Sequence, residues 1–187
     1  GDMAKNIYGI ETGLSSDPVM NWRIGDLDKR AILSFSDAHS LEKMGREATV
    51  FEAEEISYDA IYNAISKPSA KSKIAFTIEF YPEEGKYHFS GHRDCNVSFS
   101  VEETKKVKNI CPVCKRALTI GVMHRVDDLA TYDAKCEFKN VNDVRWVMDA
   151  DQKRPPYVSM VPLLEIISEA VGSAFKTKKV MDIYFML

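Results

Sequence analysis

The side chains best suited to chemistry gather in one stretch, Gly91 to Val122, GHRDCNVSFSVEETKKVKNICPVCKRALTIGV. His92-x2-Cys95 opens it, residues 96–110 intervene, and Cys111-x2-Cys114 closes it. Two short pairs at this separation have the spacing of a structural zinc site, because each tight turn can supply two corners of a tetrahedron. Pro112 stiffens the second turn and Gly91 precedes the first. Lys115 and Arg116 lead from CPVC into the apolar run Leu118-Thr119-Ile120, which reads as a turn followed by a strand. CPVC could instead be a redox dithiol, but no βαβ pattern surrounds it. Disulfide pairing is the other alternative. No signal-peptide pattern is read, and 187 residues exceed a small secreted scaffold. His92 is taken as the fourth ligand because it keeps the two-turn symmetry, with Cys136 in DAKCEFKN as the alternative and His88 and His124 as further nearby histidines. Cys136 otherwise reads as a small apolar residue.

A second candidate is Asp37-x-His39, which follows the apolar run Ala31 to Phe35. A carboxylate and an imidazole at the C-terminal end of a parallel strand sit where α/β barrels and open α/β sheets place their chemistry. Alternation along an extended segment would turn both side chains to one side, where they could share a metal. Alone, the triplet reads more often as a helix cap beside a surface histidine than as a metal site. Glu11, at the end of the run Ile7 to Ile10, is a similar candidate with a structural alternative.

The elements needed to position these residues follow from pattern. Residues 3–66 read as α/β, with strands at Ile7–Ile10, Ala31–Phe35 and Val50–Phe51. Ser40 can cap a short helical segment, and Ser57–Ser66 reads as a helix with Ile61, Ala64 and Ile65 on one face. Residues 67–73 form a polar stretch with a proline and read as a linker. Ile74–Phe80 alternates as a strand, and Tyr87–Phe89 would return after the turn Pro82–Lys86. Ser100 and Glu103 form a capping box. Val126–Ala130 reads as a short helical turn, and Asn140–Asp143 as a loop or cap. Trp146 reads as packed rather than base-stacking. Pro162 fits the first helical position ahead of the stripe Leu163, Leu164, Ile167, Ala170 and Val171.

Composition is that of a globular chain, 45% hydrophobic and 28% charged. A net charge of −3 gives no global electrostatic case for nucleic acid. No apolar run has the length of a membrane span, and a cytoplasmic location is the expectation. No GxxxxGK[ST] loop occurs, which excludes a P-loop NTPase. The chain stops in the apolar run Met181–Leu187, and both ends read as cut. Self-association through that run is an expectation.

The block YGIETGLSSDPVMNWRIGDLDKRAILSFSDAHSLEKMGREATVF resembles the C-terminal part of a PHP (polymerase and histidinol phosphatase) domain, with SDAH similar to that superfamily's last metal-binding motif. Together with GHRDCNVSFS, ETKKVKNICPVC and LTIGVMHRV, the resemblance narrows to the endonuclease Q family. It implies a mixed α+β, α/β fold. That fold is the C-terminal portion of a PHP-type (β/α) barrel, a small β-rich zinc-binding domain and a C-terminal helical segment. It implies nicking of DNA 5′ of deaminated bases such as uracil and hypoxanthine, or of abasic sites. Divalent metal ions at the PHP site, held in part by Asp37 and His39, and a structural Zn2+ belong to the same picture.

The departure is large: a PHP site begins with an HxH motif, and none of the four histidines here stands in one. Two ligands cannot hold a catalytic cluster, so the chain is expected not to cleave DNA by itself. The expected division is a partial PHP domain 1–66, a linker 67–73, a zinc-binding domain 74–130 and a helical region 131–187. Lys105, Lys106, Lys108, Lys115, Arg116 and Arg125 give the zinc stretch local positive charge. That charge reads either as a solvated face or as phosphate contacts to DNA. The alternative class is a non-catalytic zinc module that binds nucleic acid or a partner protein.

Overall fold

The computed structural model describes residues 2–187. Two short strands, β1 (Gly9–Glu11) and β2 (Ala31–Leu33), pair in parallel with Ile10 beside Ile32 and Glu11 beside Leu33. Between them lies α1 (Pro18–Asn21). The Asp17 side chain accepts the Met20 N–H there, and Pro18 opens the helix at no hydrogen-bond cost. Trp22 follows and is buried with Val147 and Tyr157, and Val19, Ile32, Ala134 and Cys136 pack against that cluster.

The chain then builds β3 (Ala48–Ala53), α2 (Tyr58–Ser66) and β4 (Ser72–Glu79), with the Ser57 hydroxyl capping α2 through the Ala60 N–H. The expected linker 67–73 is instead a turn. Ser69 and Ser72 exchange backbone hydrogen bonds, and Ser72 and Lys73 already pair with Ala53 and Glu52 of β3. After β4 the chain leaves the sheet for β5 (Ser90–His92), β6 (Val97–Phe99), α3 (Val101–Lys106) and α4 (Val122–Leu129). It returns as β7 (Cys136–Val141), β8 (Val144–Asp149) and β9 (Tyr157–Ser159). The five-stranded sheet has the order β3-β4-β9-β8-β7, and β9 lies parallel to β4. One sheet therefore takes strands from three parts of the expected division.

Three local expectations are corrected. Tyr87–Phe89 does not return along β4: Pro82–Glu84 forms a 3-10 turn, and β5 pairs with β6. Gly85 steers this path, since a Cβ there would lie 2.2 Å from the Leu14 carbonyl oxygen. The region expected to be helical from 131 begins with the β7–β8 hairpin, whose turn residues Asn142 and Asp143 both have positive φ (51° and 62°). That is the backbone of a two-residue hairpin turn, which Asn and Asp tolerate. The helices follow, α5 (Leu163–Ala170) and α6 (Lys178–Met186). Pro162 stands one position earlier than expected, as the N-cap of α5, and Gly172 (φ +59°) ends that helix in the left-handed region. Among the described residues, no helix is long and apolar enough to cross a membrane.

The joint between the parallel pair and the large sheet is polar. Glu79, at the end of β4 and fully buried, accepts the hydroxyls of Thr12 after β1 and Ser34 after β2, each at 3.0 Å, and is hydrogen-bonded to Thr77. The Thr49 hydroxyl on β3 bridges both the Ser34 N–H and the Ser34 carbonyl at 2.9 Å. Burial pushes Glu79 up to about 7, against the pull of its three hydroxyl partners and with a small further push from Glu47. The native state therefore keeps a proton that an unfolded glutamate releases near its ordinary value of 4.5. Stability from this group is complete below about 4.5 and is lost as pH rises through about 7. We expect Glu79→Gln to remove this component. Its thermal transition should gain on the parent's between pH 5 and pH 8, by on the order of 3 kcal/mol at the upper end. Parallel pH profiles of the two proteins would contradict the assignment.

Candidate metal centre and candidate active-site loop

The two short motifs fold as two matching turns. His92 ends β5, a 3-10 turn Arg93–Cys95 follows, and Asn96 (φ 51°) reverses the chain into β6. In the second turn the Lys115 N–H donates to the Cys111 carbonyl at 3.0 Å, and the Cys111 N–H donates to the Arg116 carbonyl at 2.8 Å. Lys115 (φ 64°) occupies the place that Asn96 holds in the first turn. A pair of backbone bonds between Gly91 and Thr119, at 2.9 and 2.8 Å, lays the turns side by side. Gly91 is required there, because a Cβ would lie 2.2 Å from the Val97 carbonyl oxygen.

The consequence is a cluster of four ligand-type side chains. One ligand atom from each of His92, Cys95, Cys111 and Cys114 lies within 4.8 Å of the others, a spacing that can hold a metal ion. Cys111 is buried, and Cys114 Sγ lies 3.5 Å from His92 Nδ1. Crowding is costly for thiols alone. Partial burial and the neighbouring Cys114 and Cys111 thiols push Cys95 up to about 11, while the Cys114 and Val113 N–H groups hold Cys111 below its ordinary value. A cation among three thiols and an imidazole would relieve that conflict, so the donor set fits a borderline or soft metal.

The competing ligands are placed elsewhere. Cys136 lies on β7 opposite Asp149 and packs against the Trp22 cluster. All four cysteines are free thiols. His88 is buried with Nδ1 3.0 Å from the Ser15 carbonyl, which moors the module to the segment after β1. His124 is buried between Ser90 (3.5 Å) and Asp128 (3.7 Å). This is a serine–histidine–aspartate chain, but Ser90 is only 1% exposed and no substrate could reach it. The second mooring is ionic, with Arg23 3.2 Å from Asp127.

Asp37 and His39 lie on the exposed loop beyond β2, off the same edge of the parallel pair as Glu11, which ends β1 and is exposed. The segment is not extended as expected, since Asp37 has φ 43°. The side chains nevertheless meet, with His39 Nδ1 2.9 Å from the Asp37 carbonyl and 4.0 Å from its carboxylate. They are 73% and 87% exposed, and no third metal-type ligand joins them among the described residues.

Of the basic residues, Lys105 pairs with Asp127 at 2.7 Å, Arg125 stands 4.0 Å from Asp128, and Lys115 donates to the Pro112 carbonyl at 2.8 Å. Lys106, Lys108 and Arg116 are exposed and make no ion pair among the described residues. Trp146 packs edge-on against Phe76 with centroids 5.0 Å apart, and the Tyr132 hydroxyl is bonded to Asp28. Trp146 is thus packed, as expected, whereas the Tyr132 ring is held at its hydroxyl and stays exposed. The polar cluster around Glu79 escapes a reading of the sequence, since its partners Thr12 and Ser34 are 67 and 45 residues away.

Known proteins show the same architecture. The sequence model of the PHP-associated family matches residues 32–69. The structure of PfuEndoQ, a lesion-specific endonuclease from Pyrococcus furiosus, superposes with a TM-score of 0.72 at 28% identity, covering 95% of this chain and 41% of that one. Endonuclease Q bound to a 27-mer duplex with an abasic lesion at its active site gives 0.73 at 28% identity, covering 92% and 40%. This chain has the fold of the matching part of endonuclease Q. Among curated proteins, uncharacterized protein MJ0043 of Methanocaldococcus jannaschii is 33% identical over 178 residues, 94% of this chain and 21% of that protein. Uncharacterized protein YqxK of Bacillus subtilis is 27% identical over 174 residues, 92% and 40%. The chain thus spans a fifth to two fifths of the proteins it matches. Its mixed α+β architecture, with several sheets and six α-helices among the described residues, is that of the corresponding part of endonuclease Q.

The cluster makes a direct demand on stability. Cys111→Ser should release amide protection from roughly residue 87 to residue 125 while leaving β3 and β4 protected, because a structural metal couples to folding of the segment it closes. Cys136→Ser should leave the same amides unchanged. Hydrogen exchange read by mass spectrometry checks both. An unaltered 87–125 segment in Cys111→Ser would remove the metal assignment.

Proposed function

We propose that this chain is part of a metal-dependent DNA repair endonuclease that nicks 5′ of deaminated bases (uracil, hypoxanthine) or abasic sites. The observation carrying this reading is the superposition of nearly the whole chain on endonuclease Q, one structure of which holds an abasic duplex. Within it, His92, Cys95, Cys111 and Cys114 are the ligands of a structural Zn2+, which supplies a cross-link between two turns and no chemistry on DNA. Asp37 and His39 are ligands of the catalytic divalent metals, and Glu11, off the same edge, is a candidate to join them. An HxH motif is not among the four histidines here, so the remaining ligands come from other polypeptide. The division into a partial PHP portion, a zinc module and a C-terminal helical portion is retained, with the module as an excursion from one shared sheet. Lys106, Lys108 and Arg116 are the side chains we assign to phosphate contact, where they set position without reading sequence. Lys105, neutralised by Asp127, contributes least.

One observation favours the second reading for the chain taken alone. Asp37 and His39 are exposed and have no third ligand among the described residues, so by itself the chain is a zinc module that binds DNA without cutting it.

With Mg2+ or Mn2+ and a duplex carrying an abasic site, the chain should bind and leave the strand intact. Changing Lys106, Lys108 and Arg116 together to Glu should weaken binding at low salt. It should also reduce the slope of log affinity against log salt by about 1 for each phosphate that is no longer neutralised. Absence of duplex binding at low salt would overturn the DNA assignment. Cleavage by the chain alone that disappears in Asp37→Ala would overturn the half-site reading.

A further inference from the structure

The loop that carries Asp37 and His39 has little packing of its own. From residue 35 to residue 46 its side chains are exposed or half-exposed, with Leu41 83% and Met44 66% exposed. Its internal structure is one 3-10 turn, Leu41–Lys43, closed by the Lys43 N–H on Ser40 (3.1 Å) and the Met44 N–H on Leu41 (3.2 Å), with a bond from Arg46 Nε to the Ser36 carbonyl and the contact of His39 Nδ1 with the Asp37 carbonyl, each at 2.9 Å. What ties this turn to the rest of the molecule is distant in sequence. Lys43 pairs with Glu165 of α5, and both side chains are mostly covered. The same ammonium sits 5.1 Å from the centre of the Phe175 ring, between α5 and α6. Glu42 pairs with Lys176 at 2.7 Å, and the Lys176 ammonium is the largest of the influences that hold the Glu42 carboxyl down at about 2.

Two adjacent loop residues of opposite charge thus meet complementary charges on the segment joining and beginning the C-terminal helices. A single exposed ion pair contributes little, but two adjacent pairs of opposite sense plus an aromatic face fix both position and direction. We propose that the α5–α6 hairpin is a positioning brace for the loop bearing Asp37 and His39, acting through Glu165, Phe175 and Lys176 on Lys43 and Glu42. The brace rests, for its functional meaning, on the reading of Asp37 and His39 as metal ligands. Glu165 and Lys176 are positioning residues that act on the loop through its 3-10 turn. The C-terminal helices therefore set the geometry of a site far earlier in the chain, as the 122-residue separation of Lys43 and Glu165 illustrates.

The test uses the intact chain, and its first variant changes only the helix side. In Glu165→Gln combined with Lys176→Gln, exchange of the Lys43 and Met44 amides should accelerate roughly 3- to 10-fold while amides of α2 and β4 keep their rates. A charge swap, Glu42→Lys with Lys176→Glu, should hold the Lys43 and Met44 rates near the parent's, whereas Lys176→Glu alone should not. Unchanged exchange at Lys43 and Met44 in the double variant overturns the brace, as does equal acceleration across α2 and β4. Broadening of the His39 ring resonance by Mn2+ separates the two claims. A parent chain whose His39 does not respond to Mn2+ loses the ligand reading, while the exchange rates still decide the brace. Where His39 does respond, the Mn2+ concentration needed should rise in the double variant and return with the swap.

Discussion

The structure depends on a closure that its apolar residues cannot make by themselves. Between β5 and α4 the buried apolar side chains are few, namely Val101, Cys111, Leu118 and Val126. A segment with so small an interior needs a cross-link to hold one conformation. His92, Cys95, Cys111 and Cys114 are the proposed donors for it, brought within 4.8 Å by two turns that repeat each other's geometry. Thiols alone oppose this arrangement, because burying and crowding them raises Cys95 while backbone N–H groups favour the Cys111 thiolate. A bound cation turns that opposition into attraction.

Outward from the module, polar contacts make most of the joints, and one small apolar cluster adds to them. His88 bonded to the Ser15 carbonyl and Arg23 paired with Asp127 moor the module to the segment between β1 and β2. Glu79 fastens the ends of β1 and β2 to β4, and the Trp22, Val147 and Tyr157 cluster packs the parallel pair against the returning strands. Lys43 and Glu42 reach the C-terminal helices. The loop bearing Asp37 and His39 thus lies where the parallel pair, the large sheet and the helices converge, although none of these covers it.

Much of this is legible in residue order, and the losses have physical causes. The His-x2-Cys and Cys-x2-Cys spacing locates the metal cluster because the constraint is local: each turn is closed by bonds within a few residues. The choice between His92 and Cys136 is not local. It turns on Cys136 pairing with Asp149 across a hairpin. That hairpin escapes the sequence pattern because β7 is an edge strand, with Glu137, Lys139 and Asn140 exposed, so its polarity hides the alternation expected of a half-buried strand. Its one signal is Asn142-Asp143, a pair able to adopt two successive positive φ values. The expected return strand Tyr87–Phe89 fails for a tertiary reason, since Gly85 must pass against the Leu14 backbone and His88 is drawn to Ser15. The capped helices α2 and α3 are readable, because Ser57 and Ser100 satisfy N–H groups three residues on.

The measurement that bears most directly on the central claim is metal content by elemental analysis of the purified chain, with thiols titrated before and after chelation. The account predicts one zinc per chain, with Cys95, Cys111 and Cys114 protected until the metal is removed and Cys136 titrating independently of it. A chain that holds no metal, with all four thiols equally reactive before chelation, would contradict it.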